Sequence, residues 1–124
     1  MAEEYDGVVG IVFQKSNPLK FLLIDNLNTQ NKSFPAGARQ KDETHIHQTL
    51  IRELQEEAGL KPSEYVIRET KIVHEFSFKK DKKKNIVKKV RQLVFLVETK
   101  KTELEPEDPF VNIDGCYISF INIR

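Results

Sequence analysis

The sequence predicts an α+β fold, with one helix set among strands that form a mixed or mainly antiparallel sheet. Three observations carry this. Runs of β-branched and aromatic residues lie toward both ends of the chain. A four-residue apolar period occurs near the middle. Polar, proline- or glycine-bearing stretches separate these segments.

Val8 to Phe13 is the first expected strand, and Ser16-Asn17-Pro18 ends it with turn residues. Phe21 to Ile24 is the second, placed to pair with the first as a hairpin. Asp25 to Ser33 is polar and asparagine-rich, so it reads as a loop. Phe34-Pro35-Ala36-Gly37 sets a proline beside small residues, which suggests a tight, irregular backbone. The helix follows. Asp42 or Thr44 can cap its start, and Gly59 sits where a stop belongs. Ile46, Leu50, Leu54 and Ala58 form its apolar stripe, widened by Ile51. Lys61-Pro62-Ser63 prevents continuation. Tyr65 to Phe78 and Val90 to Val97 read as strands, Glu103 to Pro109 as an acidic loop, and Cys116 to Ile123 as a last strand.

Length and composition bound the rest. A chain of 124 residues corresponds to a single domain, 1–124, large enough to bury a core. Hydrophobic residues at 39% and charged residues at 31% suit a soluble globular protein. The net charge of +1 favours neither nucleic acid nor membrane as a partner. Cys116 is the one cysteine, so no intrachain disulfide can form. The acidic start Met1-Ala2-Glu3-Glu4 lacks a signal-peptide layout, and no apolar run approaches membrane-spanning length. These features predict a cytoplasmic protein with no membrane partner.

The helix carries the most informative chemistry. Glu53, Glu56 and Glu57 fall within an arc of about 100° beside the apolar stripe. Like charges at i,i+3 and i,i+4 repel by a few tenths of a kcal/mol per pair. A bound cation would remove that repulsion, and hard oxygen ligands select magnesium, manganese or calcium. Arg52, next in sequence, can hold a carboxylate in a bidentate contact. The competing reading is an ordinary amphipathic helix with a solvated acidic face.

The wider pattern separates the two. Gly37, five residues, Glu43, then Arg52-Glu53-Leu54-Gln55-Glu56-Glu57-Ala58-Gly59-Leu60 resembles the Nudix signature. Phe34-Pro35-Ala36-Gly37 is similar to the entry to that signature. The sequence departs from the pattern in one spacing: Thr44 to Ile51 put eight residues between Glu43 and Arg52 where the family has seven. That insertion bears on the alignment of Glu43 and leaves the helix cluster untouched. The resemblance covers about residues 7 to 99, and within it the strand end Phe95-Leu96-Val97-Glu98 looks like the MutT branch.

The resemblance implies an α/β/α sandwich around a mixed sheet. With the chain stopping at Arg124, the family's usual C-terminal helix is expected to be missing. It also implies a magnesium-dependent (or manganese-dependent) pyrophosphohydrolase that opens a diphosphate linkage by water attack. The implied substrate is a small nucleotide, either a nucleoside triphosphate or a dinucleoside polyphosphate. A proline that marks ADP-ribose specificity in the family is absent, with Phe76 in that region. Glu56 and Glu57 would ligate metal, and Glu53 would be a ligand or the general base. Arg52 would orient a glutamate, the Gly37 carbonyl would complete the coordination, and Glu98 would be a further ligand or base. Degenerate members that sense a nucleotide without cutting it are the alternative class.

Other features receive plainer readings. Lys79 to Lys84, continued by Lys88, Lys89 and Arg91, could hold a polyphosphate or an RNA end, but a solvated hairpin tip with Asn85 in its turn is preferred. Nucleic acid is therefore not the favoured partner. His45, His47 and His74 are read as surface or core-edge residues and Cys116 as a small core residue. Tyr5, Phe34, Phe76 and Phe78 could stack on a base, with core packing expected for most of them.

Overall fold

The structure is a computed structural model that describes residues 5–15, 19–26, 31–100, 110–111 and 117–122. Its strands are β1 (Gly7–Gln14), β2 (Lys20–Asn26), β3 (Asn31–Ser33), β4 (Ala36–Ala38), β5 (Tyr65–Asp81), β6 (Ile86–Thr99), β7 (Phe110–Val111) and β8 (Tyr117–Asn122). The helix α1 spans Ile46–Ala58, and a 3₁₀ turn at Pro62–Glu64 follows it. The sheet runs β5-β6-β1-β2-β8-β7, with β3 added on β2 and β4 on β1. β1 and β6 are parallel, and the other pairs are antiparallel. The sheet is therefore mixed, as expected.

The core forms where α1 lies on one sheet face. Ile46, Leu50, Leu54 and Ala58 are buried against Val8, Val12, Phe95 and Val97. Each large apolar side chain so buried contributes about 1.5–3 kcal/mol. Among the described residues α1 is the one α-helix. It ends at Gly59, whose φ of 66° is the left-handed conformation that glycine adopts without penalty. The Gly59 and Leu60 N–H groups donate to the carbonyls of Gln55 and Leu54, satisfying the last turn.

Four expectations need correction. The N-cap of α1 is His45, and neither Asp42 nor Thr44 fills that place. Gln48 explains the shift, because its Oε1 accepts the N–H groups of both Thr44 and His45. Asn31–Ser33, expected as loop, pairs with Ile24–Asn26, since backbone pairing needs no apolar side chains. Ala36–Ala38, expected as irregular, pairs with Gly7–Val9. The β5–β6 hairpin extends beyond Phe78 and starts again before Val90, with register pairs continuing to Asp81↔Ile86. Cys116 and the loop Glu103–Pro109 lie outside the described residues.

Candidate active site

Arg52 organises the site. Its Nε donates to Glu43 Oε2 at 3.0 Å, and its NH2 donates to Glu43 Oε1 at 3.2 Å. The same NH2 reaches the Ala38 carbonyl at 2.8 Å. NH1 donates to Glu53 Oε1 at 2.8 Å and to Glu56 Oε2 at 3.1 Å. One planar guanidinium thus joins the segment before the helix, the helix itself and β4. Lysine could not do this, because an ammonium lacks the fixed fork.

Glu43 is the anchor on the segment before α1. It is buried, and its Oε1 also accepts the Gln40 N–H at 2.8 Å and the Thr49 hydroxyl at 3.1 Å. Burial by itself raises the Glu43 carboxyl. The hydrogen bonds from Arg52, Gln40 and Thr49, with the Arg52 charge, outweigh that and hold it below the usual value. Arg52 is held above the ordinary arginine value, chiefly by its hydrogen bond to Glu43, against the opposing effect of burial. The sequence reading left the alignment of Glu43 open because of the eight-residue spacing. Across that spacing Glu43 still reaches Arg52.

Glu53 is buried and Glu56 half-buried, while Glu57 follows on the same helix, also half-buried. Gly37 faces this cluster. The Glu53 carboxylate occupies the position that a β-carbon on residue 37 would take. That cradle brings the β4 backbone and a carboxylate together, as a cation held by both would require. The donor set is hard oxygen throughout, which suits a divalent cation bound by few protein ligands. Among the described residues no three acidic, histidine or cysteine side chains form a ready-made cage. Glu53 and Glu56 converge on Arg52 instead.

Glu98 is not brought to this cluster. Gly37 and Leu93 both pair with Val8, whereas Glu98 pairs with Phe13. Five residues of strand separate the two levels, about 16 Å at 3.3 Å per residue. Glu98 also alternates with Val97, which packs in the core beneath α1, so it points to the opposite face. There Arg68 NH2 lies 3.5 Å from its Oε1.

The histidines stand apart from one another. His45 caps the helix, and His47 lies 3.1 Å from Glu69 with its ring against Phe95. His74 Nδ1 lies 3.1 Å from Gln92 Oε1. Tyr5 lies under the Arg91 guanidinium, and Phe34 meets Phe21 edge-on. Phe76 and Phe78 are exposed, at 39% and 45%, against the expectation of core packing. They lie on a hairpin that reaches past the start of β1, where no core is available.

A cleft of about 420 Å³ borders the back of β4, lined by Gly37, Arg39, Phe76, Phe78, Lys88 and Gln92 among others. It adjoins an apolar groove over Val9, Ile11, Phe34 and Val94.

The chain is similar to known proteins in family and in fold. The NUDIX domain model matches residues 5–120. The C. elegans Ap4A hydrolase structure superposes with a TM-score of 0.55 at 18% identity, over 96% of this chain and 80% of that one. A binary complex of a C. elegans Ap4A hydrolase gives 0.54 at 20%, over 77% and 67%. The NUDIX domain of Shewanella oneidensis NrtR, in complex with ADP ribose, gives 0.67 at 13%, over 98% and 75%. At these identities the likeness is one of fold. No curated protein sequence matches the chain.

Proposed function

This chain belongs to the Nudix family, and we propose that it is a hydrolase of phosphorus-containing anhydrides that cleaves the diphosphate linkage of a nucleotide by water attack, with magnesium or manganese as cofactor. The observation that carries the reading is the Arg52 guanidinium gathering Glu43, Glu53 and Glu56 beside Gly37.

Glu53, Glu56 and Glu57, with the Gly37 carbonyl, would hold the cation. A bound divalent ion neutralises phosphate charge and lowers the pKa of an attacking water. Glu53 or Glu56 would accept the proton of the attacking water, as a carboxylate within reach can do. Arg52 fixes the orientation of both through its shared NH1. Glu43 in turn fixes Arg52. Glu98 lies outside this set.

Nucleoside triphosphates and dinucleoside polyphosphates are the proposed substrate classes. The fold neighbours include an Ap4A hydrolase and a domain complexed with ADP ribose, which supports a nucleotide in the site.

The test is a nucleotide panel with magnesium, with every product identified. Glu53→Gln and Glu56→Gln should each lower turnover by about 10²–10⁴-fold, the usual worth of a general base, while the protein stays folded. Full magnesium-dependent activity in either variant would overturn the assignment. Nucleotide binding without product release would leave a sensor in place of the enzyme.

A further inference from the structure

The β5–β6 hairpin presents a surface that the hydrolytic site does not use. β6 pairs with β1 only from Gln92 onward, so the hairpin from Phe76 to Val90 extends past the sheet as a two-stranded arm. On one face of this arm His74, Phe76 and Phe78 stand in a row. Their ring centroids are 5.4 and 6.4 Å apart, with interplanar angles of 35° and 32°. Opposite Phe78 across the strands is Lys88. The turn beyond carries Lys82, Lys83 and Lys84, with Asp81 Oδ1 accepting the N–H groups of Lys83 and Lys84. Asn85, at φ 54°, closes it.

Lysines on an exposed strand guard against edge pairing. That accounts for the charge and not for the rings. An isolated hairpin is marginal in water, and exposed phenylalanines do nothing for its solubility. Lys88 shares the face of the ring row and the turn adds Lys82, Lys83 and Lys84, while Lys79, Lys89 and Arg91 alternate to the other face, where Arg91 is paired with Glu75. Rings in a row with cations beside them match the chemistry of unpaired bases on a phosphate backbone. A mononucleotide could occupy the cleft at Phe76, Phe78 and Lys88. It would not reach the turn lysines, whereas a longer strand would.

The geometry points to the arm as a binding surface for single-stranded nucleic acid, running from the turn lysines along the ring row toward Gly37. The ring row shares the sheet face opposite α1, since Phe76 pairs with Val90 and Phe78 with Lys88 while Leu93, Phe95 and Val97 face the helix, so binding to the arm does not rest on the hydrolase reading above.

The experiment uses the full chain and a 3′-labelled single-stranded RNA of about twelve nucleotides with a 5′-hydroxyl. Fluorescence anisotropy in the presence of a chelator reads the arm alone. Hydrolysis of a nucleoside triphosphate with magnesium by the same preparation reads the carboxylate cluster alone. The single strand should bind roughly tenfold or more tightly than its duplex, with affinity falling steeply between about 50 and 200 mM salt. Phe78→Ala should weaken it roughly tenfold or more, and Phe78→Tyr should restore it. Lys83→Gln should lower the salt slope by about one. A matched DNA strand tells which sugar is preferred. Equal binding of duplex, or affinity unchanged in Phe78→Ala, would overturn the inference. So would self-association through the arm, seen as a concentration-dependent mass that Phe78→Ala abolishes, with no oligonucleotide bound. Nucleotide hydrolysis without oligonucleotide binding removes this inference only, and the converse removes only the hydrolase reading.

Discussion

Replacing Gly37 with alanine tests the junction between β4 and the helix. The new methyl group would stand where the Glu53 carboxylate lies. Residue 37 does not have the left-handed backbone that alanine resists, and it is paired with Val8, so the strand has little reason to move. The Glu53 side chain is the part able to give way. Its hydrogen bond from Arg52 at 2.8 Å would then be lost. A hydrogen bond to a charged group contributes about 1.5–3 kcal/mol. Arg52 keeps its bonds to Glu43 and Ala38, so the net loss should be nearer 1–2 kcal/mol. For a domain of this size that lowers Tm by roughly 3–8 °C. Displacing a catalytic carboxylate by about an ångström costs on the order of a hundredfold in rate. Gly37→Ala should therefore fold, unfold a few degrees early, and turn over nucleotide about a hundredfold more slowly with magnesium. Thermal melts and initial rates check both arms. A variant with rates within about threefold of the parent would show that the Glu53 position does not govern the chemistry, and the reasoning would fail.

Other substitutions probe the supports of the site. Arg52→Ala leaves Glu43 buried and without its cationic partner, and should cost about 3 kcal/mol in urea unfolding. The depressed Glu43 carboxyl stabilises the fold above its unfolded pKa of about 4.3, and that stability is lost as pH falls through the lower folded value. The stability gap between the parent and Glu43→Gln should accordingly be full near neutral pH and close in strong acid, which an acid series of melts would show. Leu54→Ala, at a fully buried position beneath the sheet, should lose about 2–5 kcal/mol. Tyr65 buries its hydroxyl without a hydrogen-bond partner, so Tyr65→Phe should be neutral or stabilise by about 1 kcal/mol in the same assay.

The parts of this fold that can be read from the chain are those with periodic burial. α1 has its stripe because every fourth residue meets the sheet, and β1 is β-branched and β2 apolar because they pack at its centre. The polar strands lack such a signal. Asn31–Ser33 is exposed and pairs through its backbone, and the outer half of the β5–β6 hairpin has no core to impose alternation. The helix glutamates were legible from spacing. Glu43 was obscured by the eight-residue spacing to Arg52, since chain distance alone does not report which side chains meet. Glu98 was misplaced because its strand end suggested proximity that only the register could decide.

The Arg52 guanidinium has a consequence for how the protein lives without its cofactor. In many small metalloproteins the ion is the only relief for crowded ligands, and removing it unfolds the chain. Here a side chain of the protein already sits among the acids as a resident counter-charge. Repulsion between Glu53 and Glu56 is relieved before any ion arrives, so folding should not depend on cation supply. Chelation should silence the enzyme reversibly and leave its melting temperature nearly unmoved.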